Sequence, residues 1–354
     1  MTNIFKNKRV FLTGHTGFKG AWLLQILHHL GADVKGFSLA PENDTDLYRQ
    51  INGDKLCYAS VMGDIRNERL LRGEIVRFQP DFIFHLAAQS LVRRSYLQPV
   101  DTFAVNVMGT VNVLEAMRSL ENTCVGVMVT TDKVYENNDS GRAFAEDDKL
   151  GGYDPYSASK AATEIAISSY RNSFFNPGKY GEHGKSIAAM RAGNVIGGGD
   201  YATDRIIPDI VRSIEREEPV RLRNPKAVRP WQHVLEPLFA YLNLAAKMVE
   251  EPVKFATAFN IGPEPGDVLD VETVTQQFVS AYGKGSYEVE QHVHNPHEAH
   301  LLALDNSKLK NQLGWQPQYT AHEAIRLTAN WYADQHTHAA DKCLSQIKNY
   351  LQNQ

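Results

Sequence analysis

The stretch Gly14-His-Thr-Gly-Phe-Lys-Gly20 lies between a short apolar run, Val10–Thr13, and an amphipathic run, Ala21–Leu30. The first run is typical of a buried strand, and the second places its apolar side chains on one helical face. Glycines in this context allow a tight turn and let the backbone approach a pyrophosphate, at which the helix N-terminus directs its unpaired N–H groups. The stretch therefore predicts a dinucleotide-binding βα unit. Its spacing is G-x-x-G-x-x-G rather than G-x-G-x-x-G, so a tight turn that binds no ligand is the alternative.

The strand that follows this helix carries less information about the cofactor. Val34–Leu39 is predicted as a strand, and an acidic residue at its end would hold an adenosine ribose. No acidic residue occurs in Phe37-Ser-Leu-Ala40, and no arginine stands there to bind a 2′-phosphate. Asp64 lies where a following loop could reach the adenine, with a helix N-cap as its alternative role. NAD is the predicted cofactor, although this strand does not separate it from NADP.

Strand and helix signals continue to alternate through the first half of the chain. Strands are predicted at 82–86, 125–131 and 187–192, and helices at 70–78, 100–118 and 156–174. The alternation predicts an α/β fold with a Rossmann-type doubly wound parallel sheet and a smaller C-terminal substrate-binding lobe. The predicted divisions are a first domain with the glycine-rich turn at 1–195, a smaller lobe at 196–338 from which some chain returns to the first domain, and a polar helix or frayed tail at 339–354.

Composition and charge exclude several classes of protein. The chain has 354 residues and a formal net charge of −4, which argues against a nucleic-acid-binding surface. No apolar run approaches the length of a membrane helix, and the N-terminal residues are too polar for a secretory signal. The three cysteines have no C-x-x-C spacing, which favours a reducing compartment over a disulfide framework. We therefore expect a cytoplasmic enzyme that binds neither nucleic acid nor membrane.

Tyr156 and Lys160 form a Y-x-x-x-K pair at the start of a predicted helix. The spacing places both side chains on one face of that helix. A nearby lysine ammonium favours the phenolate form of a tyrosine, and so does a positively charged nicotinamide ring. Such a tyrosine can take a proton from a sugar hydroxyl while hydride leaves the same carbon. A Y-x-x-x-K pair alone occurs often by chance. It predicts a catalytic role here because the glycine-rich turn lies upstream of it.

Together these features resemble the extended short-chain dehydrogenase/reductase family. Further segments resemble it too: His85-Leu-Ala-Ala-Gln-Ser90, Asn106-Val-Met-Gly-Thr110, Arg191-Ala-Gly-Asn194 and Leu313-Gly-Trp-Gln-Pro317. Five longer stretches resemble the branch whose members dehydrate CDP-glucose: 14–20, 91–96, 151–156, 191–200 and 229–237. The resemblance implies the fold predicted above, NAD as the cofactor and a nucleotide sugar as the substrate. It assigns NAD binding and the catalytic residues to 1–195 and mainly nucleotide-sugar binding to 196–338.

The segment Thr130-Thr-Asp-Lys-Val-Tyr135 is the most informative about the reaction. In related dTDP-glucose dehydratases the corresponding pair is Asp-Glu, and epimerases carry no acid/base pair there. The resemblance implies that Lys133, as the neutral amine, removes the C5 proton of a 4-keto sugar, and that Asp132 protonates the departing 6-hydroxyl. It further implies that Thr131 positions the 4-oxygen. The alternative for this pair is an exposed ion pair at a strand end, and the protonation state of Asp132 stays open.

The resemblance also assigns binding residues. The implied catalytic set is Thr131, Asp132, Lys133, Tyr156 and Lys160. The implied cofactor-binding set is Gly14, Thr16, Gly17, Phe18, Lys19, Gly20, Asp64, Ile65, Leu86, Ala87, Ala88, Asn106, Tyr156 and Lys160. The implied substrate-binding set is Gln89, Ser90, Arg93, Asn194, Arg205, Arg229, His233 and His297. The spacing of His292, His294, His297 and His300 matches no usual zinc signature, so no metal is expected.

Other functions stay open at this point. One is a nucleotide-sugar 4-epimerase that uses Tyr156 and Lys160 without elimination, and another is a non-catalytic NAD-sensing module. A third is a 4,6-dehydratase for a dTDP or GDP sugar, because the base is read by contacts that the sequence does not reveal. The loop at 136–144 departs from the branch pattern. The segment therefore supports the predicted type of reaction more strongly than the predicted identity of the sugar. The resemblance implies a homodimer or homotetramer that serves deoxysugar biosynthesis for surface polysaccharide such as lipopolysaccharide O-antigen.

Overall fold

The computed structural model describes residues 3–137, 141–290 and 302–353 of the chain. Its strands are β1 Arg9–Thr13, β2 Asp33–Ser38, β3 Ala59–Met62, β4 Phe82–His85, β5 Cys124–Thr131, β6 Lys185–Ala192, β7 Val195–Ile196, β8 Val220–Leu222, β9 Val228–Arg229, β10 Gln232–His233, β11 Ala258–Ile261, β12 Leu269–Asp270 and β13 Tyr287–Val289. Its α-helices are α1 Phe18–His29, α2 Leu47–Gln50, α3 Gly53–Leu56, α4 Glu68–Phe78, α5 Val92–Leu97, α6 Pro99–Phe103, α7 Gly109–Arg118, α8 Pro155–Ser173, α9 Tyr180–His183, α10 Ile206–Glu215, α11 Leu235–Glu250, α12 Val271–Tyr282, α13 Ser307–Leu313, α14 Ala321–Ala333 and α15 Ala339–Gln352.

The core of the molecule is a seven-stranded sheet in the order β11-β6-β5-β4-β1-β2-β3. Every neighbouring pair of these strands is parallel. The strand order reverses between β1 and β4, which is where α/β sheets of this kind form a ligand-binding crevice. The predicted Rossmann-type doubly wound sheet is therefore confirmed.

Both faces of the sheet are buried. Val10 and Leu12 of β1 point into a core that also contains Trp22 of α1 and Phe239 of α11. Phe11, between them, points into a second core with residues of α4, α7 and α8. Helices on both faces explain why the strands read as short apolar runs rather than as alternating patterns.

The helix predicted at 100–118 exists, with an irregularity in its middle. A π-helical segment, Ala104–Met108, joins α6 to α7. Such wider turns often occur at functional sites. Here the segment turns Asn106 inward, where its side-chain amide donates to the carbonyl of Gln89 and to the hydroxyl of Ser159.

The C-terminal half holds more regular structure than the sequence pattern predicts. α11 is a helix of 16 residues, and most of its residues are buried, so it lacks the one-sided apolar pattern of a surface helix. β11 then returns to the edge of the central sheet beside β6. The boundary between the two predicted domains, near residue 195, stays a prediction.

Three two-stranded sheets and the last helices complete the chain. β7 pairs with β10, β8 with β13, and β9 with β12. Where a polar helix or frayed tail was predicted, α15 is a regular helix that packs against α1; the Gln25 side chain of α1 donates to the Ala340 carbonyl across this contact at 2.6 Å. Among the described residues, no helix is long and apolar enough to span a membrane.

Candidate active site

A cleft of about 1000 Å³ opens at the carboxyl ends of the central strands. About half of the residues predicted to act at the site line it, and they come from both halves of the chain. The predicted residues that line the cleft are Lys19, Leu86, Ala88, Ser90, Arg93, Thr131, Lys133, Tyr156, Lys160, Asn194, Arg205 and Arg229. The fold therefore brings together residues that are far apart in the sequence, such as Lys19 and Arg229.

The glycine-rich turn packs against the segment that follows β4. Gly14 has a φ of +77°, and a Cβ there would lie 2.8 Å from the backbone nitrogen of Ala87. A Cβ at Gly20 would overlap the carbonyl oxygen of Gly14. Only glycine satisfies both the backbone conformation and the close approach. The exposed side of the turn leads into the N-terminus of α1, a geometry that suits a pyrophosphate.

The end of β2 holds a hydroxyl pair in place of an acidic residue. The Ser38 hydroxyl lies 2.7 Å from the Thr16 hydroxyl, which also donates to the carbonyl of Leu39. Asp64, after β3, accepts a forked ion pair from Arg66, and this hydrogen bonding lowers the pKa of its carboxyl. Asp64 is not the N-cap of α4, because Asn67 takes that position.

Tyr156 and Lys160 lie on one face of α8 and line the cleft, as their spacing predicts. The Asp154 side chain caps this helix by accepting from the backbone nitrogen of Ser157 at 3.0 Å. The Lys160 ammonium donates to the carbonyl of Val129 at 2.9 Å, and burial lowers its pKa to about 8.

The protonation of Tyr156 differs from the sequence-based expectation. Burial raises the pKa of its phenol to about 12, and the hydrogen bond with the Thr131 hydroxyl offsets only part of this effect. From the Y-x-x-x-K spacing alone, we expect the Lys160 ammonium to favour the phenolate form of Tyr156 and so to lower the pKa of the phenol. In the chain by itself the desolvation of the phenolate is the larger effect, so Tyr156 is protonated at neutral pH.

Thr131, Asp132 and Lys133 lie where β5 ends and a single 3-10 turn, Asp132–Val134, begins. The Thr131 hydroxyl donates to Oδ1 of Asp132 at 2.8 Å, and Nζ of Lys133 lies 3.5 Å from the same oxygen. The Lys133 side chain is 25% exposed and reaches the cleft, whereas that of Asp132 is only 3% exposed. The pair is therefore largely buried and faces the cleft through Lys133, and it is not an exposed ion pair at a strand end.

A buried network fixes the strand end that carries this pair. Glu164 of α8 accepts from the Thr130 hydroxyl and from the Arg191 guanidinium. Arg191 also donates to the Tyr135 hydroxyl, which donates in turn to Asn260. Because its charges are paired and its hydrogen bonds are shared, this network holds β5, β6 and α8 in one register.

Ion pairs that the sequence analysis missed hold the basic side of the cleft in place. Arg205 pairs with Asp200 at 3.0 Å, and Arg93 pairs with Asp204 at 3.0 Å. The Arg205 guanidinium also reaches the Ser90 hydroxyl at 3.4 Å. Asp200 follows directly after Gly197–Gly199, and this glycine-rich run is the sequence feature that could have drawn attention to it. The run does not reveal that Asp200 pairs with Arg205.

Lys19 has an unexpected partner. Its ammonium donates to the Tyr241 hydroxyl of α11 at 2.9 Å. Burial lowers its pKa to about 7, and the positive charges of Arg205 and Lys160 act in the same direction. Three basic side chains therefore oppose one another's protonation here, and a phosphate group bound among them would favour their charged forms.

Several predicted residues lie away from the cleft surface. Gln89 is buried and hydrogen-bonded to Leu91 and Thr102, and Ile65 is a core residue. His233 is fully buried, with its ring packed edge-on against Trp22 and Tyr319, so the structure does not place it against a substrate. His297 and the neighbouring histidines lie outside the described residues.

Comparisons with known proteins agree with this geometry. A family model described as GDP-mannose 4,6 dehydratase matches residues 11–328. A CDP-glucose 4,6-dehydratase of Salmonella typhimurium is 45% identical over 330 residues, covering 93% of this chain and 92% of that protein. A dTDP-glucose 4,6-dehydratase of Xanthomonas campestris is 28% identical over 87% of this chain and 92% of that protein.

Solved structures share the fold. The dTDP-glucose 4,6-dehydratase of Streptomyces venezuelae, solved with NAD and TYD bound, aligns with a TM-score of 0.78 at 24% identity, covering 92% of this chain and 97% of that one. The UDP-glucose 4-epimerase of Thermus thermophilus, solved with NAD, aligns with a TM-score of 0.75 at 24% identity, covering 92% of this chain and 99% of that one. The fold by itself therefore does not separate dehydratases from epimerases. The sequence matches identify the family. The chain belongs to the GDP-mannose 4,6 dehydratase family.

Proposed function

We propose that this protein is an NAD-dependent hydro-lyase that converts CDP-glucose to CDP-4-keto-6-deoxyglucose. The observation that carries the proposal is the Asp132–Lys133 pair beside Tyr156 in one cleft. An epimerase needs only the tyrosine and its lysine, whereas elimination of water needs a base for C5 and an acid for the 6-hydroxyl. The 45% identity to the Salmonella CDP-glucose 4,6-dehydratase supports the choice of substrate.

The residues present fit an NAD molecule. The glycine-rich turn leaves its backbone open at Gly17, where an added Cβ would meet only the Gly14 carbonyl oxygen at 3.5 Å. Gly14, Thr16, Gly17, Phe18 and Gly20 would hold the pyrophosphate, with Lys19 supplying positive charge. Asp64, Leu86, Ala87 and Ala88 would border the rest of the cofactor. When bound, NAD supplies a hydride acceptor for C4 and a hydride donor for C6.

The residues of this chain move the protons. Tyr156 takes the proton of the sugar 4-hydroxyl, and Lys160 holds the phenolate by its charge. The 4-ketone acidifies the C5 proton, which the Lys133 amine removes. Asp132 gives a proton to the departing 6-hydroxyl, which leaves as water.

Thr131 connects the two ends of this sequence. Its hydroxyl donates to Oδ1 of Asp132, and its interaction with the Tyr156 phenol lowers the pKa of that phenol. A proton taken by Tyr156 can therefore pass through Thr131 to Asp132, which must recover one proton in each cycle.

The substrate's own pyrophosphate would meet the arginines of the second lobe. Arg205 and Arg229 line the cleft. One guanidinium group can donate two parallel hydrogen bonds to two oxygens of a phosphate. Asn194, Ser90 and Arg93 border the same space. Gln89 contributes by fixing Asn106 and the chain at Leu91 rather than by touching the sugar.

The experiment that tests the proposal is incubation of the purified protein with NAD and, separately, CDP-, dTDP-, UDP- and GDP-glucose. We expect loss of one water from CDP-glucose, read by mass spectrometry and by the alkaline absorbance of a 4-keto-6-deoxy sugar. Dehydration of another donor alone would reassign the substrate. Formation of a galactose epimer with no loss of mass would identify an epimerase and overturn the proposal.

Replacing Gly17 with alanine is expected to weaken NAD binding by about tenfold or more, because the added methyl group would stand where the pyrophosphate approaches the turn. The protein itself has room for this methyl group, so the melting temperature should not fall. Isothermal titration with NAD measures the affinity. Gly73→Ala, on the surface of α4, is the matched control. An unchanged affinity in the Gly17 variant would show that the turn does not hold the cofactor.

We further propose that the protein is a homodimer or a homotetramer. Apolar side chains that are exposed in the single chain cluster on the segment from α6 to the π-helical turn and on α8. They include Val100 at 82%, Met108 at 53% and Ile165 at 60% exposure. A paired helical surface would remove them from water.

Ile165→Glu is expected to weaken the dimer by about 2 kcal/mol, or roughly 30-fold in its dissociation constant, since a carboxylate would be buried without a partner. Sedimentation at several protein concentrations measures the shift toward monomer. Val253→Glu, an exposed site elsewhere, is the control. A monomeric wild-type protein would refute the paired surface.

The cellular location that we propose is the cytoplasm. Cys57, Cys124 and Cys343 are all free thiols, and two of them are buried. Unpaired thiols are typical of proteins in a reducing compartment.

A further inference from the structure

A small recess lies beside the acid/base pair, and Gly193 forms its base. Gly193 follows β6, and a Cβ placed on it would lie 3.4 Å from Oδ2 of Asp132, 3.7 Å from Cγ of Pro230 and 3.9 Å from Nε2 of Gln232. The backbone of Gly193 does not have a positive φ, so its conformation does not require glycine. The missing side chain instead leaves room for a group of about the size of a methyl among these three groups, and no hydrogen bond joins Asp132 to Gln232. We call this space the Gly193 recess.

One wall of the recess is the unused oxygen of Asp132. Thr131 and Lys133 both direct their hydrogen bonds to Oδ1. Among the described residues, none donates a hydrogen bond to Oδ2, the oxygen that faces Gly193. When Asp132 is protonated, its proton therefore belongs on Oδ2 and points toward the recess.

The opposite wall is an amide without partners. Gln232 is 1% exposed, and within the described ranges neither its Nε2 nor its Oε1 has a hydrogen-bond partner. Its position is fixed by the backbone, because β10 pairs with β7 and places Gln232 opposite Val195. A buried amide left unpaired costs free energy, so its presence here indicates a polar guest.

We propose that the Gly193 recess is the subsite for the sugar 6-hydroxyl and for the water that it becomes, and that Gln232 binds this water. The inference rests on the proposed dehydration and adds to it the place from which water leaves. The amide offers both a donor and an acceptor, which are the partners that a hydroxyl and then a water require. Gly193 and Asn194 line the cleft, so a sugar in the cleft can reach the recess.

The elimination at this subsite balances in atoms and electrons. Lys133 takes the C5 proton, and the electron pair of that C–H bond moves toward the 4-oxygen to give an enolate. The enolate electron pair then forms the C5–C6 double bond, which is conjugated with the restored 4-ketone. The C6–O bond breaks, and its electron pair leaves with the hydroxyl oxygen. That oxygen takes the proton from Oδ2 of Asp132 and becomes water in the recess. Asp132 is left as a carboxylate and Lys133 as an ammonium.

Gln232→Met tests the role of the amide, since methionine has a similar length and no hydrogen-bonding amide. We expect the rate of water loss to fall about tenfold or more, because general acid catalysis loses the group that holds its leaving product. Proton removal from C5 precedes this loss and should persist. In deuterated water the recovered CDP-glucose should therefore gain more deuterium at C5 per turnover than it does with the wild-type enzyme.

A second variant distinguishes loss of the amide from misfolding of the Gln232 variant. Gly193→Ala places a methyl group in the recess without backbone strain, and we expect the same separation of water loss from C5 exchange. Gln25→Met is the control, because it removes a buried amide between α1 and α15, away from the cleft. It should change thermal stability without changing the ratio of the two rates.

Two results would overturn the inference. One is a wild-type rate of water loss in both Gln232→Met and Gly193→Ala. The other is a parallel fall in water loss and C5 exchange in these variants, as a general structural role would produce. If the wild-type enzyme releases no water from any nucleotide glucose, the proposed function itself has failed, which is a different outcome.

Discussion

Lys133→Met is expected to lower the rate of dehydration by about 10²- to 10⁴-fold, the range over which a general base contributes. Lys133 is the basic group of the Thr131–Lys133 segment, and its side chain reaches the cleft while its Nζ lies 3.5 Å from Asp132. Without it the C5 proton stays in place, so the 6-hydroxyl cannot leave. Oxidation at C4 does not use Lys133 and should continue, so reduced cofactor should accumulate on the enzyme.

The measurement is a single-turnover reaction followed by the absorbance of the reduced nicotinamide and by mass spectrometry of the sugar. Lys179→Met, which removes an exposed lysine from the short 3-10 helix Pro177–Lys179 that follows α8, is the control for the change of charge. A Lys133 variant that still dehydrates at the wild-type rate would exclude Lys133 as the base. Loss of cofactor reduction together with dehydration would show that Lys133 acts earlier in the reaction.

Tyr156→Phe is expected to have an effect of similar size at an earlier point, about 10²- to 10⁴-fold on cofactor reduction. The phenol lines the cleft on α8 and is the group that takes the proton from the 4-hydroxyl in our proposal. Phenylalanine keeps the ring and removes only the hydroxyl. Neither reduced cofactor nor deuterium exchange at C5 should appear, in contrast with the Lys133 variant.

The pH dependence provides an independent check on Tyr156. Burial raises the pKa of this phenol to about 12, so at neutral pH only a small fraction is phenolate in the free enzyme. Because the phenolate is the active form, the rate of cofactor reduction by the wild-type enzyme should rise with pH. The residual rate of the Phe variant should lack this rise. A Phe variant that keeps both the rate and the rise would exclude Tyr156 as the base.

The sequence predicts the parts of the fold and site that depend on local spacing. Glycines between a strand and a helix locate the turn at Gly14, and a separation of four residues places Tyr156 and Lys160 on one face of α8. Residues at the ends of neighbouring parallel strands meet at one edge, which brings the segment after β5 to the cleft. These relations follow from the periods of helices and strands.

Features that depend on the packing of distant segments could not be predicted. His233 stands in a stretch that resembles a substrate-binding region, yet its ring packs in the core beside Trp22. The high pKa of Tyr156 comes from burial, which a spacing of charged residues does not reveal. The Gly193 recess joins segments about 100 residues apart, and no single motif contains its walls. Helix α11 was missed because a helix that is buried nearly all around has no amphipathic period.

The measurement that tests the account most directly uses CDP-glucose carrying deuterium at C4. Our account predicts that the label moves within one active site, so that the product lacks one water and carries a single deuterium in its C6 methyl group. Such a transfer requires oxidation at C4, elimination across C5 and C6 and return of the same hydride to C6. A product that keeps the 6-hydroxyl and retains deuterium at an inverted C4 would contradict the account and identify an epimerase.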